Sequence, residues 1–194
     1  MVVSGAPGIG KSAMVNEIHK SIVAKKGYYI SGKYEQFRRD KPYSAIIQAF
    51  QVLAKQILSE SEERISVWRD NLLKALGTNG KVITDVIPEV ELIIGNQPDL
   101  PTLGPEESRN RFNFVFEKFM GVFPQKEHPL VVFLDDLQWS DLASLQFLKN
   151  ILTGSGMNYF FLILSYRDNE VGEFHQVMDF LGYVEKSKVK VSRI

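Results

Sequence analysis

The sequence contains no cysteine, and this absence excludes two structural features. Without thiols the chain can form neither a disulfide framework nor a thiolate metal site. It also has no apolar run near the roughly 20 residues that a membrane-spanning helix requires. The apolar run at its start is far too short for a secretory signal peptide. We therefore expect a cytoplasmic protein that contacts no membrane.

A net charge is also missing, because 23 Lys and Arg residues balance 23 Asp and Glu residues. No overall field is available to attract nucleic acid, and we expect no such partner. The three histidines, His19, His128 and His175, do not have the spacing of metal ligands. With 44% hydrophobic and 24% charged residues, the 194-residue chain has the composition of a globular domain with one core.

A glycine-rich segment near the start of the chain gives the clearest functional signal. Residues 5–12, Gly-Ala-Pro-Gly-Ile-Gly-Lys-Ser, fit the phosphate-binding pattern G-x-x-x-x-G-K-[ST]. The apolar run before them predicts a buried strand, and the helical spacing of apolar residues after them predicts a helix. Glycines let successive N–H groups point at an anion, and the helix N-terminus adds the positive end of its dipole. The segment therefore predicts a nucleoside triphosphate site.

The motif also predicts a role for each of its residues. Lys11 supplies a mobile charge for the β- and γ-phosphates, and the Ser12 hydroxyl is expected to ligate Mg²⁺. The predicted nucleotide-binding residues are Gly5, Pro7, Gly8, Ile9, Gly10, Lys11, Ser12 and Ala13. One alternative is an incidental glycine-rich turn, and another is the dinucleotide fingerprint G-x-G-x-x-A over residues 8–13. The fingerprint requires an acidic residue about 20 positions further on. Glu35 is the nearest candidate and comes somewhat late, so we set the dinucleotide interpretation aside.

Two aspartates follow the apolar segment 130–134, which is typical of a strand covered on both faces. Asp135 is predicted to bind Mg²⁺ through its water shell, and Asp136 to orient or deprotonate the attacking water. In open α/β sheets, ligands lie beyond the carboxyl ends of the strands, where the phosphate loop also lies. The structural alternative is a pair of aspartates that cap the next helix.

Arg167 follows another apolar segment, 159–164, at the same predicted edge of the sheet. There it is expected to bind the γ-phosphate through a charge-assisted hydrogen bond. A salt bridge with Asp168 or Glu170 is the competing explanation. The candidate catalytic residues are thus Asp136, Arg167 and Lys11, and the candidate Mg²⁺ ligands are Ser12 and Asp135.

Strands and helices alternate along the chain, which predicts an α/β fold with a parallel sheet and right-handed crossovers. The five predicted strands lie near residues 1–3, 28–33, 130–134, 159–164 and 188–194. Helices are predicted near residues 11–25, 43–58, 61–76, 105–123, 141–152 and 172–183.

The connection between the second and third strands, about 43–125, is longer than one crossover requires and predicts a helical insertion beside the sheet. Within it, Pro88 should split the segment 82–94 into two short helices. The basic cluster at 38–41 is predicted to be a solvated loop. Because the first predicted strand begins at residue 1, we expect a domain cut from a longer protein.

Three motifs together resemble those of a known family. The phosphate loop, Asp-Asp-Leu-Gln-Trp-Ser-Asp at 135–141 and Tyr-Arg-Asp at 166–168 are similar to the AAA-type ATPase module of signalling proteins, related to the STAND NTPases. The likeness is greatest to the ATPase segment of very large bacterial multisensor kinases, and it extends to 31–37, 42–45, 85–89 and 110–112. In those kinases the segment lies between a serine/threonine kinase domain and sensory and histidine-kinase regions.

The resemblance implies a P-loop NTPase fold over residues 1–194, with strand order 5-1-4-3-2, flanked by helices. It implies an ATP-hydrolysing regulatory switch, with Mg²⁺ and ATP or ADP as ligands. The implied partners are other domains of the parent chain and, upon ATP binding, further copies of the same chain. Such modules continue into a helical or winged-helix lid. The sequence stops before one, so we expect weak hydrolysis.

Three other functions also use a phosphate-binding loop. A small-molecule P-loop kinase would need an arginine-rich mobile lid and an acceptor pocket, and neither is evident. A GTPase would carry an Asn-Lys-x-Asp motif, which is absent. A module that holds ADP or ATP for oligomerisation, without turnover, agrees with the same motifs and stays open.

Overall fold

The computed structural model describes residues 1–194 except Lys25, the segment 38–40, Ser155 and Lys188, and except the side chains of Ser12, Asn16 and Val23. The strands are β1 (Val2–Ser4), β2 (Tyr28–Lys33), β3 (Leu130–Asp135) and β4 (Phe160–Tyr166). The helices are α1 (Lys11–Ala24), α2 (Ser44–Leu58), α3 (Glu62–Leu76), α4 (Gly80–Thr84), α5 (Pro88–Ile94), α6 (Pro105–Met120), α7 (Leu142–Gly154) and α8 (Gln176–Lys186).

The four strands form one parallel sheet in the order β1-β4-β3-β2. β3 lies inside it, with Leu130 opposite Tyr28 of β2 and opposite Phe160 of β4. The first five residues of β3 are buried, which explains why its sequence is continuously apolar rather than alternating. Because all the strands run in one direction, their carboxyl ends meet at a single edge.

The prediction of five strands in the order 5-1-4-3-2 is wrong, since the described residues form four strands in the order 1-4-3-2. Residues 192–194 do lie beside β1, but within the described part of the chain a single parallel bridge forms there, between Val2 and Arg193. The Val2 N–H donates to the Ser192 carbonyl at 2.8 Å, and the Ile194 N–H donates to the Val2 carbonyl at 2.9 Å. β1 has only three residues, so it offers partners to a short part of this segment.

The chain divides into two compact units, Met1–Ala49 with Gln125–Ile194, and Phe50–Pro124. The first unit contains the whole sheet. On one face of its core, Val3, Val131 and Ile163 of the strands pack against Val15 of α1. The assignment of the chain to one domain with an insertion at about 43–125 stays a prediction.

The second unit is helical, and an aromatic cluster forms its core. Phe50, Phe119 and Phe123 are almost completely buried, and their ring centroids lie 5.0 to 5.9 Å apart. The Trp68 ring lies 5.6 Å from that of Phe123. These rings therefore serve packing.

Proline and histidine set two of the helix boundaries. The predicted split at Pro88 is confirmed, since α4 ends at Thr84 and α5 begins at the proline. The predicted start of α8 at residue 172 is wrong, because His175 caps the helix and its Nδ1 accepts the Val177 N–H at 3.2 Å. Of the predicted loop at 38–41, all but the last residue lies outside the described residues. Among the described helices, none has both the length and the apolar character that a bilayer crossing demands.

Candidate functional site

The connection from β1 to α1 forms a loop that depends on glycine. Gly5, Gly8 and Gly10 have φ angles of 147°, 81° and 100°, a region that side-chain-bearing residues rarely adopt. The space around Gly8 and Gly10 is open, so backbone conformation rather than crowding requires glycine there. α1 begins at Lys11, directly after the loop, so its N-terminal N–H groups lie beside these glycines.

The Lys11 ammonium is folded over this loop. It donates to the carbonyl oxygens of Gly5 at 2.6 Å and Ala6 at 3.0 Å. Both acceptors are neutral, and a phosphate oxygen is a stronger partner for an ammonium than a carbonyl oxygen is. The charge of Lys11 is therefore held at the loop in a form that an anion can take over.

A cleft of about 340 Å³ opens at the carboxyl edge of the sheet, within the first unit. Its lining residues are Pro7, Gly8, Gly10, Lys11, Lys33, Asp135, Asp136 and Arg167. They come from the ends of the strands or the loops that follow them, and Lys11 is the first residue of α1. The volume lies in the range of small-molecule sites, which is about 300–1,000 Å³.

The cleft unites most of the predicted site residues. Gly5, Ile9 and Ala13 belong to the loop and the first turn of α1 but do not line the cleft. Ser12 lies in α1, and its side chain is outside the described residues, so its predicted role at Mg²⁺ stays a prediction. Lys33 was missed. It is the last residue of β2 and pairs in register with Asp135, so its position at the end of a predicted strand was the available signal.

The Asp135 carboxylate is fixed by two hydrogen bonds. Its Oδ1 accepts from the hydroxyl of Ser165, a fully buried residue of β4, and from the Asp136 N–H at 2.9 Å. Carboxylate oxygens are the ligands that Mg²⁺ prefers in proteins. A carboxylate held in this way at the edge of the cleft therefore suits a magnesium site.

Asp136 is buried, with 4% of its surface exposed, and its backbone is left-handed, with φ 54° and ψ 47°. Arg167 Nε lies 3.2 Å from Oδ1. Lys33 Nζ lies 3.0 Å from Oδ2, but without the geometry of a hydrogen bond, so this contact is an ion pair only. A buried charge is costly unless it is paired, and here two cations compensate it.

Arg167 has several partners. Its guanidinium donates to Glu170 Oε1 at 2.7 Å and lies 4.9 Å from the centroid of the Trp139 ring. The hydrogen bond with Glu170, and then the charge of Asp136, raise the pKa of Arg167 above its ordinary value. The competing explanation of this arginine, a salt bridge with Glu170, is therefore present, and binding of the γ-phosphate stays a prediction.

The helix-cap explanation of the two aspartates does not fit their contacts. α7 begins at Leu142, and the carboxylate that accepts the Ser144 N–H, at 2.8 Å, belongs to Asp141. Asp136 precedes the short 3₁₀ turn Leu137–Trp139, and its side chain makes no capping hydrogen bond there. The carboxylates of the pair are thus engaged at the cleft rather than at a helix end.

Comparison with known proteins agrees with the predicted resemblance. The family model "AAA ATPase domain" matches residues 1–163. The chain is 41% identical over 152 residues to "Hybrid signal transduction histidine kinase G" of Dictyostelium discoideum, covering 78% of this chain and 4% of that protein. It is 25% identical over 166 residues to "Histidine protein kinase 1" of Candida albicans, covering 78% of this chain and 7% of that protein. No solved structure matches significantly.

The match to the family model extends over most of the chain, and both relatives are histidine kinases by name. The resemblance to the AAA-type domain of multisensor signal-transduction kinases is therefore confirmed. The chain spans less than a tenth of either relative, so their activities are not transferred with the match. The chain belongs to the AAA ATPase domain family.

Proposed function

We propose that this domain binds ATP or ADP with Mg²⁺ in the cleft, hydrolyses ATP slowly, and acts as a nucleotide-dependent switch of a multidomain signalling kinase. The observation that carries the proposal is the convergence of a positive-φ glycine loop, a helix N-terminus and Lys11 on one cleft. Backbone N–H groups and the helix dipole together form an anion site. The relatives' printed names support the signalling context and other domains of the same chain as partners.

The residues at the cleft fit Mg²⁺, because Asp135 offers a hard carboxylate oxygen next to the phosphate loop. Ser12, in the first turn of α1, and Asp135 would hold the ion. When bound, Mg²⁺ supplies charge compensation at the β- and γ-phosphate oxygens. Ser165 then acts indirectly, since its hydroxyl fixes the orientation of the Asp135 carboxylate.

The proposed switch rests on competition between two kinds of anion for the same cations. Lys33 and Arg167 pair with Asp136, and both line the cleft. A γ-phosphate in the cleft offers them a second anionic partner, whereas ADP lacks that group. ATP would therefore loosen Asp136 from its cations, and the ends of β2, β3 and β4 would respond together.

A second candidate function is a module that holds ADP or ATP for oligomerisation without hydrolysis. The observation in its favour is that Asp136, the candidate base, is engaged by two cations. A carboxylate so engaged activates water only after release. Assembly with further copies, and a cytoplasmic location where nucleotide is abundant, belong to both proposals.

Calorimetric titration of the chain with Mg·ATP and Mg·ADP tests the proposal. Lys11→Ala should weaken binding about 10- to 150-fold, the value of a hydrogen bond to a charged group. Lys20→Ala is the matched control, since Lys20 lies on the same helix and its only described ion pair is the exposed one with Glu17. Unchanged affinity in Lys11→Ala, or no binding by the wild type, would refute nucleotide binding at this cleft.

A further inference from the structure

Gln138 lies in the short turn after β3 and connects two strand ends. It is 1% exposed. Its Nε2 donates to Oδ1 of Asp136 at 3.1 Å, and its Oε1 accepts the backbone N–H of Arg167 at 3.2 Å. A single side chain thus joins the candidate base after β3 to the main chain after β4. The sequence placed this glutamine in the motif at 135–141 but predicted no role for it.

The chemistry of this site requires an amide. Nε2 can only donate and Oε1 accepts, while the two partners are a carboxylate and an N–H group. If the amide were turned round, its oxygen would face the Asp136 carboxylate and its NH₂ group would face the Arg167 N–H, and neither pair could form a hydrogen bond. An ionised carboxylate could serve only the N–H and would repel Asp136, and an apolar side chain could serve neither partner.

As a result, the two carboxylate oxygens of Asp136 have different contacts. Oδ1 is engaged by Gln138 and by Nε of Arg167. Oδ2 is buried and accepts no hydrogen bond from the described residues, among which its ion-pair partner is Nζ of Lys33, at 3.0 Å. A buried polar atom without a hydrogen bond is uncommon in folded proteins and calls for an explanation. On the proposed function, a phosphate that draws Lys33 away would leave this oxygen as an acceptor for a water molecule.

We infer that Gln138 is a positioning residue for ATP hydrolysis. It orients Asp136 so that Oδ2 takes the proton of the attacking water, and it also connects the Arg167 main chain to the same carboxylate. The inference rests on the proposed hydrolysis. In that step the water oxygen bonds to the γ-phosphorus, and the bond from phosphorus to the β–γ bridging oxygen breaks. The products are ADP and phosphate, and Oδ2 passes its proton to phosphate or solvent.

Two variants test the two hydrogen bonds of Gln138 separately. When ionised, Gln138→Glu keeps the shape and the acceptor for the Arg167 N–H, loses the donor to Asp136 and places a like charge beside it. Gln138→Met has a similar size and loses both. Gln146→Met is the matched control, since that glutamine is exposed on α7 and hydrogen-bonds Asn150. The measurements are amide hydrogen exchange of Arg167 without nucleotide, affinity for Mg·ATP by calorimetry, and single-turnover hydrolysis.

Arg167 exchange should stay at the wild-type rate in Gln138→Glu and become several-fold faster in Gln138→Met, as expected for the loss of one hydrogen bond. Hydrolysis should fall about 10- to 100-fold in both variants, less than the roughly 10²- to 10⁴-fold that a general base itself contributes. Affinity for Mg·ATP should stay within about threefold of the wild type, and the control should match it throughout. This pattern supports the inference, because turnover follows the donor while exchange follows the acceptor.

Hydrolysis within about threefold of the wild type in a folded Gln138→Met would overturn the inference. The inference would also be overturned if, in both variants, turnover fell in proportion to faster Arg167 exchange and a lower melting temperature. A merely structural role of Gln138 predicts that correlation. Gln138→Asn, one methylene shorter, replaces a variant that does not fold and should also lose turnover. A wild type that binds Mg·ATP without hydrolysing it refutes the proposed hydrolysis instead. The exchange data alone then decide whether Gln138 fixes the Arg167 main chain.

Discussion

Replacement of Asp136 by asparagine should separate nucleotide binding from hydrolysis. The substitution keeps the shape of the side chain and removes its charge. Asparagine is among the few residues that tolerate a left-handed backbone, so φ 54° adds little strain to the variant. Its oxygen can still accept from Gln138, which donates to Oδ1 in the wild type. The variant therefore tests the charge of Asp136 almost alone.

The contacts of Asp136 set the expected magnitudes. Removing one partner of a fully buried ion pair costs about 3–5 kcal/mol, but here the Lys33 side chain is 55% exposed and Arg167 keeps Glu170. Solvent screening reduces the cost to about 1–2 kcal/mol of unfolding free energy. The two cations become available to phosphate, so affinity for Mg·ATP should stay equal or tighten, by up to about tenfold. Hydrolysis should fall about 10²- to 10⁴-fold, the usual contribution of a general base.

The assay combines the melting temperature, calorimetric affinity for Mg·ATP, and single-turnover hydrolysis on the wild type and Asp136→Asn. Tighter binding together with lost turnover supports both the assignment of the base and the competition for cations. Weaker binding would refute the idea that Asp136 competes with phosphate for Lys33 and Arg167. Unchanged turnover would refute its role as the base.

Four further predictions follow from the same structure. Asp135→Asn should weaken Mg·ATP binding and hydrolysis together, about 10- to 100-fold, and calorimetry with and without Mg²⁺ would reveal unequal effects. Gly32→Ala should lower the melting temperature strongly, because its Cβ would lie 1.8 Å from the Ala45 carbonyl oxygen, whereas the control Gly182→Ala on α8 meets open space and should not. Burial, and then the charge of Asp135, raise the pKa of Tyr29 to about 12, so the stability it contributes is complete below pH 10 and lost as pH rises towards 12. An ultraviolet titration, with Tyr29→Phe subtracted, checks this value. The isolated chain should turn over far more slowly than once per second, since an arginine supplied by a partner is worth about 10³- to 10⁵-fold, and a faster steady-state rate would contradict the idea.

The parts of the site that could be predicted are those that a short stretch of sequence determines. The glycine loop needs positive φ at fixed positions, and the aspartate pair follows an apolar strand, so both are visible without a structure. Lys33 and Gln138 were missed because their roles depend on strand register and side-chain direction. Lys33 reaches Asp136 only because β2 and β3 end together at the same edge of the sheet.

The parts of the fold that were predicted wrongly depend on contacts rather than on local pattern. The alternation of residues 188–194 is that of a strand, but hydrogen bonding to the three-residue β1 limits it to a single bridge. The helix predicted over 172–183 begins only at Gln176, because the side chain of His175 caps it there, a contact that local pattern does not reveal. By contrast, the effect of Pro88 is local, since its ring excludes the preceding helical turn, and it was predicted correctly.

If the domain acts as the proposed switch, the charges at the cleft limit how strong that switch can be by itself. A γ-phosphate that draws Lys33 or Arg167 from Asp136 replaces one charged contact by another, and a hydrogen bond to a charged group is worth about 1.5–3 kcal/mol. On the proposed function, each such exchange separates ATP from ADP by about 10- to 150-fold at most. Moving a two-state equilibrium from 1:99 to 99:1 requires about 10⁴-fold. Two cations acting together just reach that value, and only if neither loses its strength to solvent. Lys33 is 55% exposed, so on the proposed function a complete switch would need contacts beyond those of this cleft. The ATP-to-ADP affinity ratio of the isolated chain should therefore lie well below about 10⁴, and should rise when flanking domains are restored.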